Sequence, residues 1–294
     1  MEDLKGRVAI ITGATRGIGK ALAVRLAQEG VSIAVVGKTV EPHPKLPGTI
    51  AETVAAVEAA GGKAIGLRCD VRHSAELEAV VKATKDHFGQ VDILINNAGA
   101  MWIDNVTATP EKRFDLVMDI NFRAPFLLSH LCIPHMLEHK WGHIVNMSPP
   151  FQPDFIDQAG GKVAYMASKL NMTLLSHALG QELNGSGVAC NSLWPRTLID
   201  SLATRGLGLS QHAEWRTPEI VVDSTLIILQ QDPHTFTGQA LVDEDLLSQF
   251  AGITEYSRYR AVPDHEPGPM SWKRLGEIAV AGKRLLAMLG ARTP

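Results

Sequence analysis

The sequence predicts an α/β fold built on one doubly wound, parallel, seven-stranded sheet with helices on both faces. Short apolar runs alternate with amphipathic stretches along the chain, and this alternation indicates βαβ units. The runs are continuously apolar and rich in Val and Ile, which is typical of strands that helices cover on both sides. The predicted strands are residues 8–11, 32–36, 64–67, 93–95, 143–147, 188–193 and 239–242.

Amphipathic stretches between the strands predict the helices, at residues 18–29, 49–60, 75–88, 114–138, 164–183 and 218–229. Two stretches are predicted to be loops, because residues 40–48 contain three prolines and residues 149–162 begin with two. The second loop follows a strand. We therefore expect it over the carboxyl edge of the sheet, where folds of this kind bind ligands.

We divide the chain into one domain, residues 1–250, and a C-terminal extension, residues 251–294. Three prolines between residues 263 and 269 indicate a linker. After it, basic residues accompany apolar residues that recur at helical spacing, namely Trp272, Leu275, Ile278, Ala279, Leu285, Leu286 and Leu289. This amphipathic helix could dock on its own subunit, on a neighbouring subunit or on a membrane surface. We favour a subunit, because apolar stripes usually meet protein.

Composition and charge exclude several classes of protein. Apolar residues make up 45% and charged residues 20% of the 294, the balance of an ordinary globular protein. The net charge of -3 and the pI near 6.4 give no electrostatic reason to expect nucleic acid as a partner. A strand begins almost at once and no apolar run approaches the length of a membrane span, so we expect neither a signal peptide nor integral membrane association.

The three cysteines, Cys69, Cys132 and Cys190, lie far apart and form no CxxC pair. They are expected to be reduced thiols in the core, which predicts a cytoplasmic protein. No metal site is predicted.

A glycine-rich turn joins the first predicted strand to the first helix. Glycine permits backbone angles closed to other residues, and a helix N-terminus presents N–H groups of partial positive charge, so a pyrophosphate could bind there. Ordinary βα turns also use glycine, but the position in the first βα unit favours dinucleotide binding. The residues expected to contact the dinucleotide are Gly13, Thr15, Arg16, Gly17, Ile18 and Gly19.

Two further strand ends supply candidate cofactor contacts. Asn97, Ala98 and Gly99 follow the fourth strand, where small residues would let a cofactor pass close to the backbone. A turn held by local amide bonds explains the same pattern, and by itself explains it better. Asp70 and Val71 follow the third strand. The aspartate could cap the next helix or accept from an adenine amino group, and both roles can hold.

Tyr165 is the candidate acid/base. Lys169 lies four residues later, on the same face of the predicted helix. An ammonium group beside a phenol favours the phenolate, and the same lysine could hold the nicotinamide ribose. Neither of the other two tyrosines, Tyr256 and Tyr259, has a lysine at this spacing.

Two polar residues are added to the candidate site. Ser148 ends the fifth strand, where its hydroxyl could orient a carbonyl oxygen toward the tyrosine, although a strand-end serine is usually a turn residue. Asn121 lies within a predicted helix, where an amide needs a reason, such as holding a water in a proton path.

Taken in order, TGATRGIG, NNAG, Asn121, Ser148 and YMASK resemble the short-chain dehydrogenase/reductase family across about residues 5–245. The resemblance implies a Rossmann-type sheet, assembly as a homodimer or homotetramer, and a catalytic tetrad of Asn121, Ser148, Tyr165 and Lys169.

The resemblance also implies a nicotinamide cofactor whose carboxamide meets the segment that contains Pro195 and Thr197. This chain has Arg196 where the family more often has glycine, which puts the fine shape of the nicotinamide pocket in doubt. Ser148 also stands several residues farther from Tyr165 than is commonest in the family, so we expect the inserted loop to wall the substrate pocket.

The stretches GKTVEPHPKLPGTI, NMSPP, LWPRT and FTGQALVDEDLL are similar to one branch of that family, the hydroxysteroid dehydrogenase-like proteins. That branch often carries a sterol-carrier domain after the reductase. Only a short tail follows here, so lipid delivery is not carried over. An apolar carbonyl or alcohol substrate is predicted by apolar residues around the candidate site, although core packing explains each of them as well: Phe151, Phe155, Ile156, Trp194, Leu198 and Leu202.

NADP(H) is the predicted cofactor. In dinucleotide-binding folds an acidic residue at the end of the second strand accepts from the ribose 2′-hydroxyl and repels a 2′-phosphate. Here that strand ends in Lys38, and Arg16 could reach the same phosphate from the glycine turn. The alternative for each is a solvated surface cation. A non-catalytic NADP-binding regulator is the main rival function, and the intact tetrad argues against it.

Overall fold

The computed structural model describes residues 2–43, 47–153, 156, 159–206 and 211–269. Seven strands form one sheet in the order β3-β2-β1-β4-β5-β6-β9, and every neighbouring pair is parallel. The predicted fold is therefore confirmed. The strands of this sheet are β1 (Val8–Thr12), β2 (Ser32–Gly37), β3 (Ala64–Arg68), β4 (Ile93–Asn96), β5 (Gly142–Met147), β6 (Val188–Trp194) and β9 (Ala240–Val242).

Two apolar cores lie on the two faces of the sheet. All five residues of β1 are buried, and neighbouring side chains belong to opposite cores, with Ile10 in one and Ile11 in the other. Burying apolar surface stabilises the folded state by about 25 cal/mol per Å², so these cores make the largest favourable contribution to the free energy of folding. The strand order reverses between β1 and β4, which opens a crevice at the carboxyl ends of these strands.

Helices cover both faces, as expected of parallel strands joined by crossovers. They are α1 (Gly17–Gln28), α2 (Ile50–Ala59), α3 (Ser74–Phe88), α4 (Glu111–Met118), α5 (Ala124–His139), α6 (Val163–Glu182), α7 (Leu202–Gly206), α8 (Glu219–Leu229) and α9 (Asp243–Ala251). The predicted strands and helices are present, and their bounds differ from the predicted ones by at most three residues.

The helix predicted over residues 114–138 differs from the prediction. It consists of α4 and α5 joined by one π-helical turn, Asp119–Arg123. The whole stretch, Glu111–His139, is long and apolar enough by length and composition to cross a membrane, which corrects the expectation that no run reaches this length. In the fold it packs against α3, and Leu128, Cys132 and Met136 are buried in a core. Of its most apolar window 39% is buried, so one face of the stretch packs in the core.

The sequence did not predict α7, α9 or a small second sheet. That sheet pairs β7 (Leu198–Ile199) with β8 (Trp215–Arg216) in parallel. The predicted domain boundary at residue 250 falls inside α9, and Tyr259 beyond it belongs to the core of the main domain. The amphipathic helix predicted over residues 272–289 lies outside the described residues.

Candidate active site

The glycine turn has the backbone geometry of an anion cradle. Gly13 and Gly17 have φ angles of +65° and +51°, which L side chains rarely adopt. A Cβ at Gly19 would lie 2.4 Å from the carbonyl oxygen of Gly13, so a side chain there would close the turn. Helix α1 starts with no side-chain cap and no acidic residue in its first turn. Its first N–H groups are thus available to a pyrophosphate, and the turn fits a dinucleotide.

Asn97 ties the ends of β1 and β4 together. Its Nδ2 donates to the carbonyl oxygens of Thr12 and Gly13, at 2.9 and 3.2 Å. The Thr12 hydroxyl in turn accepts from the backbone N–H groups of Asn97 and Ala98, at 3.1 and 3.0 Å. The amide bonds considered as the plain explanation of the NNAG motif are therefore present. They also fix the glycine turn against the sheet.

One cavity of about 780 Å³ runs from the glycine turn to the candidate acid/base. Lys38, Asp70 and Val71 lie at its adenosine end, and Tyr165 and Lys169 at its reactive end. The other predicted cofactor contacts on its walls are Gly13, Thr15, Arg16, Gly17, Ile18, Gly19, Asn97, Ala98, Gly99 and Pro195. Its walls do not include three predicted site residues, Asn121, Ser148 and Thr197.

Tyr165 and Lys169 lie one turn apart on α6 and are only 4% and 5% exposed. Lys169 Nζ donates to the carbonyl oxygen of Met147 at 2.7 Å and lies 5.9 Å from the centre of the Trp194 ring. Burial lowers the pKa of Lys169 to about 8 and raises the pKa of Tyr165 well above its usual value. Desolvation by burial is the cause of both pKa shifts, and at the phenol it outweighs the charge of Lys169. The phenol is protonated at neutral pH, as a proton donor must be.

Asn121 occupies the π-helical turn, which explains an amide in the middle of a long helical stretch. Its Oδ1 accepts from Ala100 N at 2.8 Å, and its Nδ2 donates to Ala100 O at 2.8 Å and to Ser168 Oγ at 2.9 Å. Both amide protons are used. The side chain joins α6 to the strand end that carries the NNAG motif, and this geometry does not place it on a water in the cavity.

Ser148 does not reach the cavity. It is fully buried, with Oγ 2.9 Å from Thr173 Oγ1, which itself lies 2.6 Å from the carbonyl oxygen of Pro149. The prediction that this hydroxyl orients a substrate carbonyl is therefore not supported by the geometry. Ser148 is the first residue after β5, and its side chain there points into the contact between the sheet and α6.

The two predicted cofactor contacts after β6 differ in their positions. Pro195 lies on the cavity wall, but Thr197 is buried at 1% exposure, and its Oγ1 has no hydrogen-bond partner among the described residues. Ser201 and Thr204 line the cavity in its place. Their hydroxyls lie 2.8 Å apart at the start of α7, a short helix that carries no strong sequence signal.

The cations at the adenosine end are held by neighbouring side chains. Arg16 Nη2 donates to Thr39 Oγ1 at 2.6 Å and to the carbonyl oxygen of Gly48 at 3.2 Å. The proline-rich loop thus orients the guanidinium, and Thr39, which the sequence did not suggest, also lines the cavity.

Asp70 accepts from two cations. Lys38 Nζ lies 3.2 Å from its Oδ2, and Arg72 binds both of its oxygens, at 2.9 and 2.6 Å. The hydrogen bonds from Arg72 are the main reason that the pKa of Asp70 lies far below its usual value. Its carboxylate charge is compensated, so this end of the cavity does not present an unpaired negative charge.

Three of the residues predicted to wall a substrate pocket lie on the cavity. Trp194, Leu198 and Leu202 line the cavity, whereas Phe151 and Ile156 are half exposed and are not on its walls. Phe155 lies outside the described residues.

Comparison with known proteins identifies the family. The family model described as short chain dehydrogenase matches residues 7–204. The chain belongs to the short-chain dehydrogenase family. Its members are oxidoreductases that bind a nicotinamide cofactor and act on small molecules. Hydroxysteroid dehydrogenase-like protein 2 of Danio rerio is 42% identical over 263 residues, 89% of this chain and 62% of that protein. The chain therefore spans less than two thirds of the length of the curated relatives it matches.

Solved structures of this short-chain dehydrogenase fold superpose closely. One from Xanthomonas campestris has a TM-score of 0.87 and 40% identity, and the match covers 92% of this chain and 98% of that chain. A metagenomic short-chain oxidoreductase in complex with NADP has a TM-score of 0.67 and 28% identity, over 82% of this chain and 98% of that one.

Proposed function

We propose that the protein is an NADP(H)-dependent dehydrogenase/reductase that transfers a hydride between nicotinamide and a carbonyl or alcohol carbon of an apolar small molecule. The observation that carries the proposal is the single cavity in which a glycine cradle and the pair Tyr165 and Lys169 share the walls. The glycine cradle would hold the pyrophosphate of a dinucleotide, and Tyr165 and Lys169 would hold its reactive half in the same cavity.

Tyr165 supplies the proton in the reductive direction. A nicotinamide cofactor would supply the hydride that the carbonyl carbon needs. The Tyr165 phenol would give its proton to the carbonyl oxygen, which leaves an alcohol and a tyrosinate. Lys169, one helical turn away, would stabilise that tyrosinate by charge and would hold the cofactor ribose. Since Ser148 lies outside the cavity, the tyrosine hydroxyl is the group assigned to the substrate oxygen.

Preference for NADP(H) is supported by Arg16 and Lys38, which flank the adenosine end of the cavity. No carboxylate terminates β2, and Asp70, the nearby one, is bound to Lys38 and Arg72. A related structure at 28% identity is a complex with NADP, in agreement with this choice. An apolar substrate is supported by Trp194 and Leu198 on the wall, and by the name of the hydroxysteroid dehydrogenase-like relatives.

Two further parts of the proposal concern assembly and location. Phe114, Phe126 and Leu174, on α4, α5 and α6, are 46%, 51% and 53% exposed, and we assign this apolar surface to contact with a second copy in a dimer or tetramer. We place the protein in the cytoplasm without integral membrane association, since its three cysteines are free and buried.

The test is a screen of NADPH oxidation against aldehydes, ketones, quinones and acyl-linked ketones, with the tyrosine variant Tyr165→Phe as the blank. We expect the wild-type protein to turn over at least one of these substrate classes and the Phe variant to turn over none. Tight NADPH binding without turnover of any class would favour the rival, a non-catalytic regulator that reads cofactor occupancy.

A further inference from the structure

The wall at the reactive end of the cavity is anchored from outside by an arginine. Pro195, Leu198 and Ile199 line the cavity, while Arg196 between them is bound to the start of α9. Its backbone N–H donates to Asp243 Oδ1 at 2.9 Å. Arg196 does not have a positive φ, so this backbone does not require the glycine that is more usual here. The side chain is free to make an ion pair that glycine could not.

Glu244 links that arginine to a second, buried one. Its Oε2 lies 3.2 Å from Arg196 Nε, and its Oε1 accepts from Arg216 at 3.1 and 2.9 Å. Arg216 is 2% exposed and needs a second carboxylate near it. Glu266 supplies it, 2.7 Å from Arg216 Nη2.

The backbone continues the same connection. Thr217 N donates to Tyr259 O at 2.7 Å, and Ala261 N donates to Trp215 O at 3.0 Å, so the chain near residue 260 pairs with β8. Strand β8 pairs with β7, whose Leu198 and Ile199 are the wall itself. Arg216 Nη1 also donates to the carbonyl oxygen of Tyr256 at 3.1 Å. Side chains and backbone thus connect residues 256–266 to the cavity by two routes.

We propose that residues 256–266, the C-terminal brace, position the wall at the reactive end of the cavity and so set the affinity for the nicotinamide half of the cofactor. This inference rests on the proposed function, because it requires a dinucleotide in the cavity. Arg196, Glu244, Arg216 and Glu266 are positioning residues, since none of the four lines the cavity. Breaking the outer pair leaves Arg216 with one carboxylate in place of two, and β8 with a weaker anchor.

The experiment compares two ligands on three variants. Glu266→Gln removes the outer charge at a side chain that is 51% exposed, so the fold should tolerate it. Arg196→Gly removes the ion pair between Arg196 and Glu244, at the end of the network nearest the cavity. Glu255→Gln is the matched control, because Glu255 is exposed and makes no ion pair with the described residues. The ligands are NADPH and adenosine 2′,5′-bisphosphate, which lacks the nicotinamide half, measured by calorimetric titration alongside melting temperature.

Glu266→Gln and Arg196→Gly should each weaken NADPH binding by about two- to thirtyfold and leave the bisphosphate within about twofold of wild type. The control should change neither. If both ligands lost affinity equally, the C-terminal brace would only stabilise the fold as a whole, which contradicts the proposal. Unchanged NADPH affinity in both variants would overturn it as well. A wild-type protein that binds no NADPH would instead contradict the proposed function.

Discussion

Thr173 Oγ1 lies 2.9 Å from Ser148 Oγ, so a serine expected at the substrate is held against helix α6. The threonine hydroxyl is also 2.6 Å from Pro149 O. The Thr173 hydroxyl is the donor to Ser148 Oγ, and it shares its single proton between that oxygen and the carbonyl oxygen of Pro149. The pair fastens the carboxyl end of β5 to the helix that carries Tyr165.

Replacing Ser148 by alanine should therefore affect stability more than catalysis. We expect kcat/KM within about threefold of wild type, with a loss of about 0.5–1.5 kcal/mol in the free energy of unfolding. Steady-state kinetics and urea denaturation measure the two. A drop in kcat beyond a hundredfold, with the fold intact, would return Ser148 to the reacting atoms. The control is Ser176→Ala, which removes a different buried hydroxyl, one that lies on α6.

Tyr165→Phe should abolish turnover, by about 10²- to 10⁴-fold, because it removes the one oxygen assigned to proton transfer. The cofactor dissociation constant should stay within about threefold, since the ring keeps its packing. Single-turnover kinetics and fluorescence titration of NADPH give the two values. A variant that retains near-normal kcat on a confirmed substrate shows that another group is the acid.

Lys169→Ala should behave differently, raising the KM for the cofactor as well as slowing the chemical step. The reason is the position of Nζ on the cavity wall, 2.7 Å from Met147 O and on the same helix face as Tyr165. Kinetics at several NADPH concentrations separate the two effects. If kcat alone falls, the lysine does not hold the ribose.

Cofactor preference should depend on the contact between Arg16 and Thr39. Arg16→Ala is expected to weaken NADPH binding by about ten- to a hundredfold and to leave NADH nearly unchanged, because only NADPH has the 2′-phosphate. Thr39→Val should give a smaller loss of NADPH affinity. Thr39→Ser should retain the affinity of the wild-type protein, since it keeps the hydroxyl that Arg16 contacts. Gly37 is left unaltered, because a Cβ there would lie 2.6 Å from Thr15 Cγ2. Equal loss of both cofactors in Arg16→Ala would refute the preference.

Asp243→Asn should stabilise the protein at pH 8 and have a smaller stabilising effect at pH 5. Burial raises the pKa of this carboxyl from 3.8 to about 7. The group therefore favours the folded state at low pH, and that contribution is lost as pH rises from about 3.8 to about 7. The amide keeps the oxygen that accepts from Arg196 and Glu244, so at pH 8 it removes only the buried charge, worth on the order of 1–4 kcal/mol.

Melting curves at the two pH values measure this difference. Asp264→Asn is the control, since Asp264 is exposed and has no ion pair among the described residues. A stabilisation of equal size at both pH values would show that Asp243 is not the titrating group.

The sequence predicts the sheet and most of the cavity well, because the spacing of apolar residues and the glycines of turns can be read within a few consecutive residues. Gly13, Gly17, Gly19, Tyr165 and Lys169, which the sequence proposed from local spacing, all line the cavity. What the sequence could not predict is the direction of individual side chains. Ser148 and Thr197 lie in the expected segments, but their side chains point into packing, which depends on partners such as Thr173 far along the chain. Thr39 was missed because its role depends on Arg16, which comes from another strand end.

The order of the strands divides the cavity between two stretches of chain. Lys38 and Asp70 come from the strands on one side of the reversal between β1 and β4, and Tyr165 and Lys169 come from the helix that follows β5 on the other side. Selection on cofactor choice and selection on substrate can therefore act on different parts of the gene.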